Sequence, residues 1–178
     1  MRPLLLSAAF AALLLACSPP AEREAQTQQT PQTPQVQACN NVAPNMGRLV
    51  RIEEQMAVAA AASDLRGGAI APGVYDLTRA VRIGEATGWR GERAVALEVT
   101  EGVDGGTTFD WASTPSGSGE TDRWTATFND SGAHPTISYT CGRMGDVAAE
   151  FTAQRDALTL RIPDGANGSL QLEFARRS

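Results

Sequence analysis

Apolar and polar positions change rhythm three times along this chain. Leu4 to Leu15 is apolar for about a dozen residues, broken only at Ser7. A spanning helix needs roughly 20 apolar residues, so this run has the length of a secretory signal core. Residues 18–38 are then Ser, Pro, Ala, Glu, Gln and Thr, with one cation at Arg23 and Val36 the only large apolar residue. Such a stretch cannot form a core and reads as a flexible, partly extended tether. Residues 46–63 place Leu49, Ile52, Met56 and Ala59 or Ala60 at helical spacing, with Arg48, Arg51, Glu54 and Gln55 on other faces. That spacing predicts one helix, with Asn45 as its N-cap and Gly67-Gly68 ending the segment.

From Ile70 onward, apolar residues alternate with polar ones, and turn-forming clusters recur every 8–12 residues. The alternation predicts eight strands, at about 71–82, 92–101, 106–113, 121–129, 135–141, 147–153, 157–162 and 169–176. One face carries Val95, Leu97 and Val99; Phe109 and Trp111; Trp124, Ala126 and Phe128; Ile137 and Tyr139. It continues with Leu158, Leu160 and Ile162, then Leu170, Leu172 and Phe174. Short connections favour antiparallel neighbours, and eight strands can close into a barrel without exposed edges. The expected fold is mainly β: an eight-stranded antiparallel up-and-down barrel with one N-terminal helix packed outside. A two-sheet sandwich is the competing arrangement. A meander puts loops 83–91, 113–121, 142–146 and 163–168 at one end, which their length marks as the open end.

The end of the first apolar run fixes where such a domain would live. Leu14-Leu15-Ala16-Cys17 resembles the lipobox of bacterial lipoproteins. The resemblance implies cleavage before Cys17, a lipid on its sulfur and an acylated new amino terminus. Several acyl chains hold a membrane where one holds it only marginally. Ser18 rather than Asp after the cysteine implies the outer membrane, with the domain in the periplasm. The chain then divides into a signal peptide at 1–16, a lipidated cysteine and linker at 17–38, and a β-barrel domain at 39–178. With Cys17 lipidated, Cys39 and Cys141 remain in an oxidising compartment, and a disulfide between them is expected; two free buried thiols are the alternative. The bridge would close roughly 100 residues, worth about 4 kcal/mol in the chain-entropy treatment.

Charge and composition remove several activities. The net charge is −5, so nothing here neutralises a phosphate backbone, and no nucleic-acid partner is expected. Every cation is arginine, which excludes Schiff-base chemistry. The one histidine, His134, lies in a turn with no Ser or Cys partner placed by the sequence. Glu53-Glu54 is adjacent on the expected helix and diverges. Ser116-Gly117-Ser118-Gly119 lacks the lysine and helix of a phosphate cradle, and Asp104-Gly105-Gly106 offers too few oxygens for calcium. No catalytic residue, metal or cofactor is expected.

Gly73-Val74-Tyr75 on the first barrel strand and Arg176-Arg177 at the end of the last resemble the lipocalin-like (calycin) group. That group has Trp where this chain has Tyr75. The resemblance implies a barrel that is either filled or hollow enough for one small hydrophobic ligand. Trp89 and Arg90 on an open-end loop, with Tyr75 and Tyr139, are the candidate ligand or partner contacts; Trp89 alternatively folds over the mouth as a lid. The function expected is a membrane-anchored, non-catalytic binding or envelope-structural module. A second resemblance gives an alternative. Tyr139-Thr140-Cys141-Gly142 looks like the Tyr-x-Cys strand of periplasmic C-type lysozyme inhibitors, which implies inhibition of a hydrolase. The Ser-Gly-x-x-Tyr loop of those inhibitors has no counterpart after Cys141; Ser-Gly residues lie upstream, at 116–119.

Overall fold

The computed structural model describes residues 38–56, 65–102, 105–131 and 134–178. The lipobox, Cys17 and the tether through residue 37 lie outside the described residues, as does 57–63 of the expected helix. Ten strands follow in chain order: β1 (Val50–Gln55), β2 (Gly73–Gly84), β3 (Glu92–Glu101), β4 (Thr107–Pro115), β5 (Asp122–Asn129), β6 (Thr136–Cys141), β7 (Asp146–Ala148), β8 (Glu150–Gln154), β9 (Ala157–Pro163) and β10 (Gly168–Arg176). All belong to one sheet, in the order β7-β6-β5-β4-β3-β1-β2-β10-β9-β8.

Two sequence expectations need correction here. The first is the helix: its described part is β1, and no helix occurs among the described residues. Leu49 and Met56, both on the expected helical stripe, are 41% and 79% exposed. Val50 is buried instead and Ile52 packs partly against the core, while Arg51 and Glu53 face solvent. The period of two that these four residues carry therefore wins over the period of 3.6. The pairing partners explain why. β2 and β3 pair only from Gly73–Asp76 to Ala96–Val99 and then diverge. β1 fills the opening, parallel to β2 at Ile52–Gln55 and antiparallel to β3 at Val50–Arg51. Backbone groups of two strands find partners in this wedge, which outweighs a helix preference worth a few tenths of a kcal/mol per residue.

The second correction is the strand count and direction. The expected strand at 147–153 is two strands. Its first half, β7, pairs with β6, and its second half, β8, pairs with β9. Only Ala149 separates them. With β1 added, eight becomes ten, and the β1–β2 pair makes the sheet mixed rather than wholly antiparallel.

The inward face is the one that alternation marks. Leu97, Trp111 and Trp124 stand in one row across β3, β4 and β5, and Val99, Phe109 and Ala126 in the next. Phe128, Ile137, Phe151, Leu158, Leu160, Leu170, Leu172 and Phe174 are among the others buried with them, with Tyr139 and Ile162 packed against the cluster. The sheet curls enough for Trp111 of β4 to meet Phe174 of β10 edge to face, centroids 6.1 Å apart. The outer face is polar. Arg79 there joins Glu53 at 2.7 Å and Glu173 at 3.0 Å across β1, β2 and β10.

Residues 38–49 form a strap across the outside of the sheet. Asn40 Nδ2 donates to the Trp111 carbonyl at 3.2 Å and to the Trp124 carbonyl at 2.9 Å. Val42 settles on Ala96 and Ala112, whose small side chains leave a shallow track on the outer face. Arg177 closes the far end, donating to the Ala43 carbonyl and gripping the buried Asp76 carboxylate. The strap begins at the Cys39–Cys141 disulfide, whose Cα atoms lie 5.6 Å apart across 102 residues of sequence. Strict alternation would turn Cys141 inward with Tyr139. A register shift between Thr125 and Ala126 skips Thr140, and Cys141 turns to the strap side.

Candidate functional site

The β2–β3, β4–β5, β6–β7 and β9–β10 loops gather at one end of the sheet. Gly88 N donates to Asp164 there, and Glu85 N donates to the Asn167 carbonyl. Beneath these loops, the interior opens in a cleft whose floor and walls come from β4, β5, β6, β9 and β10.

All three tryptophans of the chain line it. Trp111 and Trp124 stand directly opposite on β4 and β5, so their rings stack at 5.1 Å and 12°. Tyr139 of β6 meets Trp124 edge-on at 5.2 Å. Trp89 reaches in from the β2–β3 loop to 5.7 Å from Trp111. Gly84 and Gly91 bracket that loop at φ of 67° and 74°, a region only glycine enters without strain. Stacked and edge-on pairs of this kind contribute about 0.5–1.5 kcal/mol each beyond area burial.

Two guanidinium groups lie over the rings. Arg93 sits 4.5 Å from the Trp89 centroid and donates to Ser113 Oγ at 3.2 Å. Arg143 lies 5.9 Å from the Trp124 centroid and 5.8 Å from that of Tyr139, paired with Asp122 at 2.9 Å. Arg143 reaches this position from the tight Gly142–Gly145 turn. A Cβ on Gly142 would collide with the Arg123 carbonyl, so the turn depends on glycine there. Burial lowers the pKa of Arg93, Asp122 opposes that, and Arg143 lowers it further, so both guanidiniums and Asp122 share one field. The Trp111 Nε1 donor is buried with no hydrogen-bond partner among the described residues.

The cleft is small, about 40 Å³. That is room for a water or two and far below the roughly 300 Å³ of a pocket that encloses a drug-sized ligand. Two larger hollows, of about 260 and 450 Å³, are open grooves where β7 gives way to β8. His134 and Glu150 line both, and Glu150 is paired with Arg161 at 3.3 Å. Among the described residues no group of three or more His, Cys, Asp or Glu could hold a metal.

The sequence candidates separate here. Trp89 and Tyr139 meet in the cleft, and Trp89 packs as a lid on Trp111. Arg90 is exposed on the same loop. Tyr75 is fully buried and donates to the Ala71 carbonyl; it is not part of the cleft lining, and burial raises its pKa. Cys39 and Cys141 are joined, and Cys17 lies outside the described residues. Sequence reasoning passed over Arg93 and Arg143, and took Trp111 and Trp124 for core alone. A signal was present: the inward tryptophans of two strands joined by a turn fall opposite one another if the turn is centred on residues 117–118. A scan against protein-family models finds no match, and searches of curated proteins and of solved structures find none.

Proposed function

We propose that this chain is an envelope lipoprotein anchored through Cys17, with a non-catalytic binding module at 39–178 whose ligand meets the aromatic cleft at one end of a lipocalin-like barrel. The observation that carries the binding role is the convergence of Trp89, Trp111, Trp124 and Tyr139 under two guanidinium groups. The guanidinium groups put charge beside the rings, where a ligand with an apolar body and a polar end would meet both. Closure into a barrel draws support from three contacts. The terminal strands of the sheet order, β7 and β8, are consecutive in the chain through Ala149. Trp111 touches Phe174 across the interior. Gly67 pairs with the free edge of β8, donating to the Phe151 carbonyl at 2.8 Å. Arg176 lies against Gly73, where a Cβ would strike its guanidinium, in keeping with the lipocalin-like pairing of those positions.

The small volume sets the kind of binding. The cleft takes the end group of a ligand, or a compact molecule beneath Trp89, rather than enclosing a lipid. Two measurements test the reading. The natural chain should incorporate labelled palmitate and sediment with membranes, whereas Cys17→Ala should do neither; membrane retention of the variant would remove the anchor. Small aromatic molecules should perturb the three indole N–H resonances together, and a panel that moves none of them would remove the binding role.

A further inference from the structure

The cleft carries enough chemistry to name a ligand class, an argument that rests on the binding role just proposed. Its walls beyond the indoles are Ile137, Leu160 and Leu170, which favour a flat apolar body. Trp111 is only 4% exposed, and its Nε1–H has no acceptor among the described residues. An unpaired buried donor is costly, and an acceptor on a ligand would relieve that cost. Charge adds direction. Arg93 and Arg143 each hold a guanidinium over a ring of the cleft, a donor that matches a carboxylate better than a neutral hydroxyl.

We infer that the cleft binds a small aryl carboxylate, its ring against Trp111 and Trp124 and its anionic end at Arg143. Trp89 is the wall that yields. Its loop hangs between Gly84 and Gly91, and its ring is held by Trp111 and Arg93 alone among the ring contacts of the described residues. Arg143 is the discriminating residue, because it joins the aromatic ladder to the rim charge.

The test uses the full chain carrying Cys17→Ala, labelled with ¹⁵N, so that three indole N–H signals report. Phenylacetate and 2-phenylethanol are the probes, alike in the ring and different in charge. Phenylacetate should shift the Trp111 signal, identified by its loss in Trp111→Phe, with a Kd in the millimolar range for so small a ligand. It should bind about tenfold more tightly than 2-phenylethanol, and Arg143→Gln should abolish that tenfold difference while circular dichroism stays the same. Equal affinity for the two probes, or a preference that survives Arg143→Gln, overturns the carboxylate inference and leaves the binding role standing. No indole shift with either probe up to about 10 mM overturns both.

Discussion

Two aromatic clusters share the interior wall of this sheet, and they are built differently. Phe109, Phe128 and Phe151 close on one another with centroids 4.8 and 5.0 Å apart. Their rings carry no polar atom, and no cation lies over them among the described residues. Further along β4 and β5, Trp111, Trp124 and, from β6, Tyr139 pack at similar distances, yet bring an orphaned N–H, two guanidinium groups and a cleft. The first cluster is packing completed. The second is packing left with one indole donor unpaired and with cations over its rings at one end. Equal burial therefore does not mean equal surroundings, and the polar groups around the second cluster are what the proposed binding role rests on.

The sharpest way to break the comparison is through the closed cluster. Phe128→Ala should cost about 3–5 kcal/mol in chemical denaturation, because the cavity it leaves is ringed by rigid neighbours. A loss below about 2 kcal/mol would mean that the phenylalanines are not the core that holds the sheet. Next comes the strap behind the tryptophan cluster. Cys39→Ser with Cys141→Ser should cost about 4 kcal/mol by chain entropy, read from the denaturant midpoint, and an unchanged midpoint would show that the strap contributes nothing. Trp111→Phe should cost less, about 1–2 kcal/mol, since it removes ring volume but no hydrogen bond. If it instead matched Phe128→Ala, the two clusters would be one core. The smallest effect lies outside both. Arg79 holds Glu53 below its usual pKa by hydrogen bonding, and the Glu53 side chain is about half exposed. A depressed carboxylate adds stability above its unfolded pKa and loses it as pH falls through the folded value. Glu53→Gln should thus lower stability by under about 1 kcal/mol at neutral pH, and the difference from wild type should vanish in acid and shrink in salt. A difference that grew on acidification would reverse the sign of that coupling.

How much of this was legible depends on which interactions are local. The strands from Gly73 to Arg176 were readable because one face of each is buried, so alternation is imposed residue by residue. The disulfide was readable because few cysteines leave few pairings. β1 was not, because Leu49, Ile52 and Met56 fit a helical stripe while Val50 to Glu53 alternate, and the choice falls to the opening between β2 and β3, whose paired residues are distant in sequence, such as Ala80 for Ile52 and Arg93 for Val50. The corner at Ala149 was hidden for a related reason: alternation tells which face is buried but not which neighbour a strand pairs with. In the site, Trp89 and Tyr139 were found as single residues. Arg93 and Arg143 were missed because their significance lies in what they cover, and that is set by register and by a glycine turn.

Asn40 bonds the carbonyls of Trp111 and Trp124 on the outer side of the sheet, while the rings of the same two residues form the cleft on the inner side. The sulfur bridge beside Asn40 therefore acts on the cleft from behind. Under reducing conditions the bracing of those two carbonyls should slacken, and the paired indoles would lose their fixed spacing before any strand separates. The redox state of two sulfurs would then set how rigidly two rings are held on the opposite side of the sheet.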